Sequence, residues 1–444
     1  MKRSLLLVAL LLAAPSARAL TYSRHVLSNG LTVLLYKDAS APLVAVNIWY
    51  KVGSKNEEAG RTGFAHLFEH YMFECTKNTK QGEYFDTVFK KLGGLANAFT
   101  SYDKTNYYSV VPAGGLDEML RLESDRMGFL QACMSQESLD KQRGIVQNEK
   151  REREGAPYSS VFEDVVGQTF PAPHPYNWPI IGSMRDLEAA SLQDVAKFHK
   201  TYYLPNNAVL AIAGAIDEAK ALERAKFWFE GIPAGPAPAP LNPPAVASLG
   251  GRREMTTPDP KAQMPMLVIG FPIPGRGKPG ADEASVLASI LSEGRGARLA
   301  KALKEGARPL AVMAEGGVIG LYESDLLLIQ AVPAPGVTMA ELEAAIHAEI
   351  ARIAAGGPSA QELARVKAKL RTSMYDALQN VEGVAQSLAE GEAVGGDPEL
   401  FIGGEAARIQ AVDADAVKRA AARLTPSNSS VVKIAPAPAA PRNP

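Results

Sequence analysis

The sequence predicts an α+β protein of two domains with related topology, each a mainly antiparallel sheet with helices packed on one face. Three observations carry that prediction. A proline-rich run at residues 233–244, where proline removes backbone donors and fixes φ, separates two halves of similar length. The second half, slid back by 221 positions, brings like segments together at both of its ends. Within each half, short apolar strands are interspersed with amphipathic helices.

The elements follow in order. The chain begins Met1-Lys2-Arg3, is apolar over 5–14 and reaches Ala17-Arg18-Ala19, the pattern of a secretory signal cleaved before Leu20. Its apolar run is shorter than the ~20 residues that span a bilayer, so the mature chain is expected in the periplasm or secreted. Residues 20–232 form the first domain, with strands at 31–36, 44–50 and 107–111 and a helix at 62–72. Near its end, Leu204-Pro205-Asn206-Asn207 precedes an apolar strand at 209–213. The linker at 233–244 leads to a second domain at 245–434. Its strand at 265–271 and helix at 283–292 stand against 44–50 and the 62–72 helix, and Thr425-Pro426-Ser427-Asn428 precedes a strand at 431–434. A further strand is expected at 325–332, and Ser359 with Glu362 forms a capping box opening a long helix. The proline-rich tail at 435–444 is expected to be disordered.

Composition narrows the function. The chain has 47 basic and 48 acidic residues; loss of Lys2, Arg3 and Arg18 with the signal leaves a net charge of about −4. That balance argues against nucleic acid as a partner, because neutralising phosphates takes a basic face. Cys75 and Cys133 are too few for a disulfide scaffold and stand in no Cys-x-x-Cys pair. A single bridge and two buried thiols both remain open.

The informative segment is Gly63-Phe64-Ala65-His66-Leu67-Phe68-Glu69-His70. On a helix His66 and His70 lie one turn apart on one face and can reach a single ion. Glu69 points to nearly the same side, placed to take a proton from a water on that ion. With six histidines in the chain, His-x-x-Glu-His arises by chance on the order of once in 100 such sequences. Two histidines leave a catalytic zinc one protein ligand short. The charged segment Gln142 to Glu154, a predicted helix, offers Glu149 among several carboxylates; a solvated charged face is its other reading. His25, His199 and His347 have no partner at metal spacing.

With these motifs the mature chain resembles the pitrilysin and insulinase family of inverted-zincin metallopeptidases along nearly its entire length. The family pairs His-x-x-Glu-His with a glutamate ligand some seventy-odd residues later. Here 78 residues separate His70 from Glu149, within Arg143-Gly144-Ile145-Val146-Gln147-Asn148-Glu149-Lys150-Arg151. The resemblance implies one Zn2+ per chain on His66, His70 and Glu149, with Glu69 as general base. Gln142 stands where many relatives place another glutamate supporting the site. Gly93-Gly94-Leu95-Ala96-Asn97-Ala98-Phe99-Thr100 matches an edge strand that pairs with substrate backbone, which implies peptide binding by Asn97 and Ala98. The alternative for Asn97 is a turn after the glycines. The resemblance also implies that the two domains form half of a clam-shell chamber.

At the 221 offset, Leu287, Ile290 and Leu291 stand against His66, Glu69 and His70, so the second half lacks the ligands. Self-sufficient relatives carry there an arginine and, seven residues on, a tyrosine; the matching positions here are Lys304 and Ala311. Lysine lacks the guanidinium fork and alanine offers no hydroxyl to an oxyanion. Some bacterial relatives resemble this arrangement and work as heterodimers, which implies a paralogous subunit supplying the Arg/Tyr pair, in preference to a homodimer. Arg298, Arg308 and Tyr322 are the nearby substitutes. The expected function is zinc endopeptidase action on peptides or unfolded segments. The alternative is a non-catalytic assembly or processing subunit of the same fold.

Overall fold

A computed structural model describes residues 20–241 and 243–436. The expected signal sequence and residues 437–444 of the expected tail lie outside the described residues. The first half builds a six-stranded sheet from β1 (Tyr22–Val26), β2 (Thr32–Lys37), β3 (Leu43–Tyr50), β4 (Leu95–Thr100), β5 (Thr105–Pro112) and β6 (Ala208–Gly214), in the order β1-β2-β6-β3-β5-β4. The second half builds a five-stranded sheet from β7 (Arg253–Asp259), β8 (Met266–Pro274), β9 (Ala311–Val318), β10 (Ser324–Pro333) and β11 (Ser430–Pro436), in the order β7-β11-β8-β10-β9.

With β1 set aside the two sheets share one topology, mainly antiparallel with a single parallel pair each, β2 with β6 and β7 with β11. The 221-residue repeat holds at the level of pairing. Thr32 lies beside Val209 and Arg253 beside Ser430; Trp49 lies beside Val209 and Gly270 beside Ser430. The described part of 233–244 carries neither helix nor strand. One boundary needs correction: Ala435 and Pro436, assigned to the tail on composition, belong to β11 and pair with Pro258 and Asp259. Pro436 is the last residue of β11, where a missing backbone donor costs the ladder least.

Each half keeps its own helices over one face of its sheet, enclosing a large apolar core. The opposite face is covered as well, by one helix from the other half. Val161–Thr169 places Val161, Val165 and Val166 against Val268, Leu326, Leu328 and Val432 of the second sheet. Val381–Gly395, its counterpart in the repeat, places Val384, Ala385 and Leu388 against Leu34, Ala45, Trp49 and Val209 of the first. The sequence carries the cause: β6 reads Ala-Val-Leu-Ala-Ile-Ala-Gly with every residue buried, the unbroken apolar run of a strand covered on both faces.

The halves also meet through polar groups at the β4–β5 turn. Asp103 accepts from the Tyr176 hydroxyl at 2.5 Å and the Tyr322 N–H at 3.2 Å, and pairs with Lys55 at 3.0 Å. Lys104 Nζ lies 3.2 Å from the Tyr322 hydroxyl and 3.5 Å from Glu390. No described helix is long and apolar enough to cross a membrane.

Candidate metal centre

The helix Phe64–Tyr71 begins at Gly63, whose φ of +87° suits glycine. A Cβ on Gly63 would stand 2.6 Å from the Ile181 carbonyl oxygen, and one on Gly182, at φ +77°, 2.5 Å from the Gly63 Cα and the Thr62 carbonyl oxygen. The helix start thus rests on the backbone at Gly182, with no room for a side chain at either glycine. Gly63 cannot cap the helix with a side chain, and buried Glu57 does so instead: its two carboxylate oxygens accept from the Gly63 N–H at 2.9 Å and the Ala65 N–H at 2.8 Å. Asp186 accepts from the Thr62 N–H and hydroxyl at 3.1 and 2.5 Å.

The second contributing helix, Gln136–Gly155, opens on a Ser135–Ser138 capping box. Two links hold it to the first: the Tyr71 hydroxyl bonds to that of Ser138, and Cys75 is bridged to Cys133 with Cα atoms 5.7 Å apart. The bridge decides the question that the sequence leaves open for the two cysteines. It ties the chain just past one helix to the chain just before the other.

These supports bring three side chains together. Glu149 Oε2 lies 3.6 Å from His66 Nε2 and 3.4 Å from His70 Nε2, and the three ligand atoms fall within 4.8 Å of one another. Tetrahedral ligands at zinc distances of about 2.0–2.1 Å stand about 3.3 Å apart, so the group needs little adjustment to take an ion. The donor set, two imidazoles and one carboxylate, suits a catalytic zinc with a position left open. Burial, reinforced by His70 and then Arg153, pushes the His66 pKa down to about 3. Burial also lowers that of His70 against the pull of Glu149. Both rings are therefore neutral at pH 7, the form that ligates metal. The other Glu149 oxygen accepts from the Arg153 guanidinium.

Glu69 sits beside this group and accepts from the Thr100 hydroxyl at 2.6 Å. Burial pushes its pKa up to about 7, opposed by the Thr100 hydrogen bond and aided by the Glu149 charge. A carboxylate poised near the operating pH is suited to moving a proton in either direction. Glu69, His70, Asn97 and Gln142 border a cleft of about 400 Å³. Asn97 and Ala98 lie within β4, the outermost strand of the sheet, so Asn97 closes no turn. The Gln142 amide donates to buried Glu74 and not to His66, His70 or Glu149.

In the second half Leu287, Ile290 and Leu291 are each 0 % exposed, so the space that holds the ligands in the first half is solid core. Lys304 is exposed and Ala311 is buried at the start of β9. The nearby substitutes are engaged elsewhere: Arg298 with Glu362, Arg308 with Glu341, and the Tyr322 hydroxyl with Glu390.

Comparison with known proteins bears on this geometry. Residues 32–182 match the family model described as Insulinase (Peptidase family M16), and residues 189–370 match the Peptidase M16 inactive domain. The zinc protease PqqE of Helicobacter pylori is 30% identical over 371 residues, covering 82% of each chain. The chain belongs to the pitrilysin and insulinase family, peptidase family M16. An uncharacterized zinc protease of Mycobacterium leprae is 27% identical over 85% of this chain and 83% of its own. The crystal structure of a protease from Helicobacter pylori superposes with a TM-score of 0.85 at 27% identity, covering 94% of this chain and all of that one. The periplasmic protease PqqL of Escherichia coli, at 20% identity and a TM-score of 0.77, shares the fold over 93% of this chain and 47% of its own.

The M16 assignment fits the two-domain architecture, one half with the metal ligands and one without. Sequence reasoning missed the residues that act through their neighbours. Thr100 lies inside a recognised motif but gains a role only when β4 is packed beside the helix; Glu57 is six residues before Gly63, a spacing with no standard capping pattern.

Proposed function

We propose that the mature chain is a zinc-dependent endopeptidase of peptides or unfolded protein segments, acting in the periplasm or outside the cell. The observation that carries this reading is the convergence of His66, His70 and Glu149 within 4.8 Å, with Glu69 beside them. Zinc held there supplies a Lewis acid and activates a water. His66 and His70 bind it as neutral rings, and Glu149 adds a negative charge. Glu69 takes the proton of the attacking water and returns it to the leaving amine. A peptide laid along the free edge of β4 adds a strand to the sheet, with Asn97 and Ala98 beside the scissile bond. Lys304 lacks the guanidinium fork and Ala311 offers no hydroxyl to an oxyanion, so a paralogous subunit carrying an arginine and a tyrosine completes the site.

The test is hydrolysis of a quenched, mixed-sequence peptide pool by the zinc-loaded mature chain, with and without that subunit. Turnover only with both chains, lost in Glu69→Gln at unchanged zinc content, is the expected result. Turnover by the chain alone overturns the requirement for a partner. Equal turnover by Glu69→Gln overturns the mechanism.

A further inference from the structure

A cleft of the second half stands apart from the metal centre. It has a volume of about 500 Å³ and is walled by Ile273, Leu287, Ala420 and Leu424 with Arg419 and Arg423 among the polar residues lining it. That volume is within the range of about 300–1,000 Å³ typical of small-molecule pockets.

The internal repeat supplies a comparison for this cleft. The helix Ala414–Ala421 corresponds to Leu192–Tyr202 of the first half; aligned at their capping residues, Asp413 and Ser191, Ala420 stands for Phe198. In the first half Phe198 is 9 % exposed and stacks among Phe64, Phe68 and Tyr202, and the corresponding hollow measures about 140 Å³. A methyl group at Ala420 in place of the Phe198 ring leaves the larger space. The same alignment sets Ala416 against Asp194, which in the first half pairs with Arg61 at 3.6 Å. The second hollow has therefore lost its aromatic filling and one carboxylate at once.

The charges left at the cleft are uneven. Lys278 is paired with Glu323 at 3.4 Å, and Glu283 is the one other acid of the lining. Arg419 and Arg423, one helical turn apart and exposed, make no side-chain hydrogen bond or ion pair among the described residues. Two unpaired guanidinium groups beside an apolar hollow match a molecule with an apolar body and an anionic end, since arginine binds a carboxylate by paired donors.

We propose that this cleft binds an alkyl carboxylate, its chain against Ile273, Leu287 and Leu424 and its carboxylate on Arg419 and Arg423. The site is separate from the metal ligands and does not depend on peptidase activity. The probes are decanoate, decanol and acetate, titrated calorimetrically into the full mature chain. Saturable decanoate binding at one site is expected, at least tenfold tighter than decanol and with acetate silent. Arg419→Ala/Arg423→Ala should weaken decanoate at least tenfold and leave decanol unchanged. Ala420→Phe, which restores the ring of the first half, should abolish binding of both; the exposed arginine pair keeps the test decisive where that variant does not fold. Decanoate binding that is absent, unsaturable, or unaltered in the double arginine variant overturns the proposal. Acetate bound as tightly as decanoate does so too, because it would make the arginines an anion contact with no role for the hollow.

Discussion

Thr100→Val is the substitution that most directly probes the chemistry of Glu69. Valine keeps the shape and β-propensity of threonine but removes the hydroxyl that donates to Glu69 Oε2 at 2.6 Å. A hydrogen bond to a charged group contributes about 1.5–3 kcal/mol, and one pKa unit corresponds to about 1.4 kcal/mol. The bond stabilises the ionised carboxylate, so its loss raises the Glu69 pKa further in the direction in which burial already pushes it, to about 7 in the metal-free protein. Bound zinc lowers the absolute value in wild type and variant alike. The prediction is therefore the displacement between them: the acid limb of kcat/KM against pH moves up by about 1–2 units. At a fixed pH below the limb, activity falls roughly 10- to 100-fold and recovers toward wild type as pH rises. Thr100→Ser, which keeps the hydroxyl, should return the limb to its place. Superimposed acid limbs for wild type and Thr100→Val would refute the assigned role, and a raised KM with an unmoved limb would give Thr100 to the substrate.

Three further outcomes are expected. Gly182→Ala should cost about 2–5 kcal/mol in urea unfolding and reduce zinc occupancy, because its Cβ would meet backbone atoms at 2.5 Å, whereas Gly60→Ala, at φ +83° with open space around it, should cost about 1–2 kcal/mol. Cys75→Ser/Cys133→Ser, opening a bridge of sequence separation 58, should lower stability by about 4 kcal/mol and become insensitive to reductant, unlike wild type. Residues 20–232 produced alone should show no cooperative thermal transition, since Trp49 and Val209 lose their cover and Val161–Thr169 loses its sheet; a monodisperse fragment with sharp near-UV dichroism would contradict this.

What could be read in the sequence was whatever depends on local spacing. His66, Glu69 and His70 are fixed by helical periodicity, and the repeat announces itself because Pro205-Asn206-Asn207 and Pro426-Ser427-Asn428 make the same one-turn helix before the same strand. On spacing alone Glu149 is one carboxylate among several, and only the family pattern singles it out, because 78 intervening residues carry no local geometry. Resemblance places Gln142, Asn97 and Ala98 near the site, but their side-chain partners depend on the fold: Gln142 serves Glu74. The exchanged helices were hidden for a different reason. An apolar face such as Val161, Val165 and Val166 tells that a helix is buried but not against which sheet.

That exchange bears on why a half without metal ligands matters to the half that has them. Glu69, the proposed catalytic base, is held by Thr100, the last residue of β4, and β4 is an edge strand paired only with β5. An edge hairpin of this kind has little rigidity of its own. Here its turn is fixed from the other half, with Asp103 bound to the Tyr322 N–H and Lys104 set against Tyr322 and Glu390. Glu390 comes from the very helix, Val381–Gly395, whose apolar face covers the first sheet. One helix from the second half therefore packs behind the strands that carry the hairpin and bonds to its tip. The position of Thr100, and through it of Glu69, depends on contacts that the first half cannot make by itself.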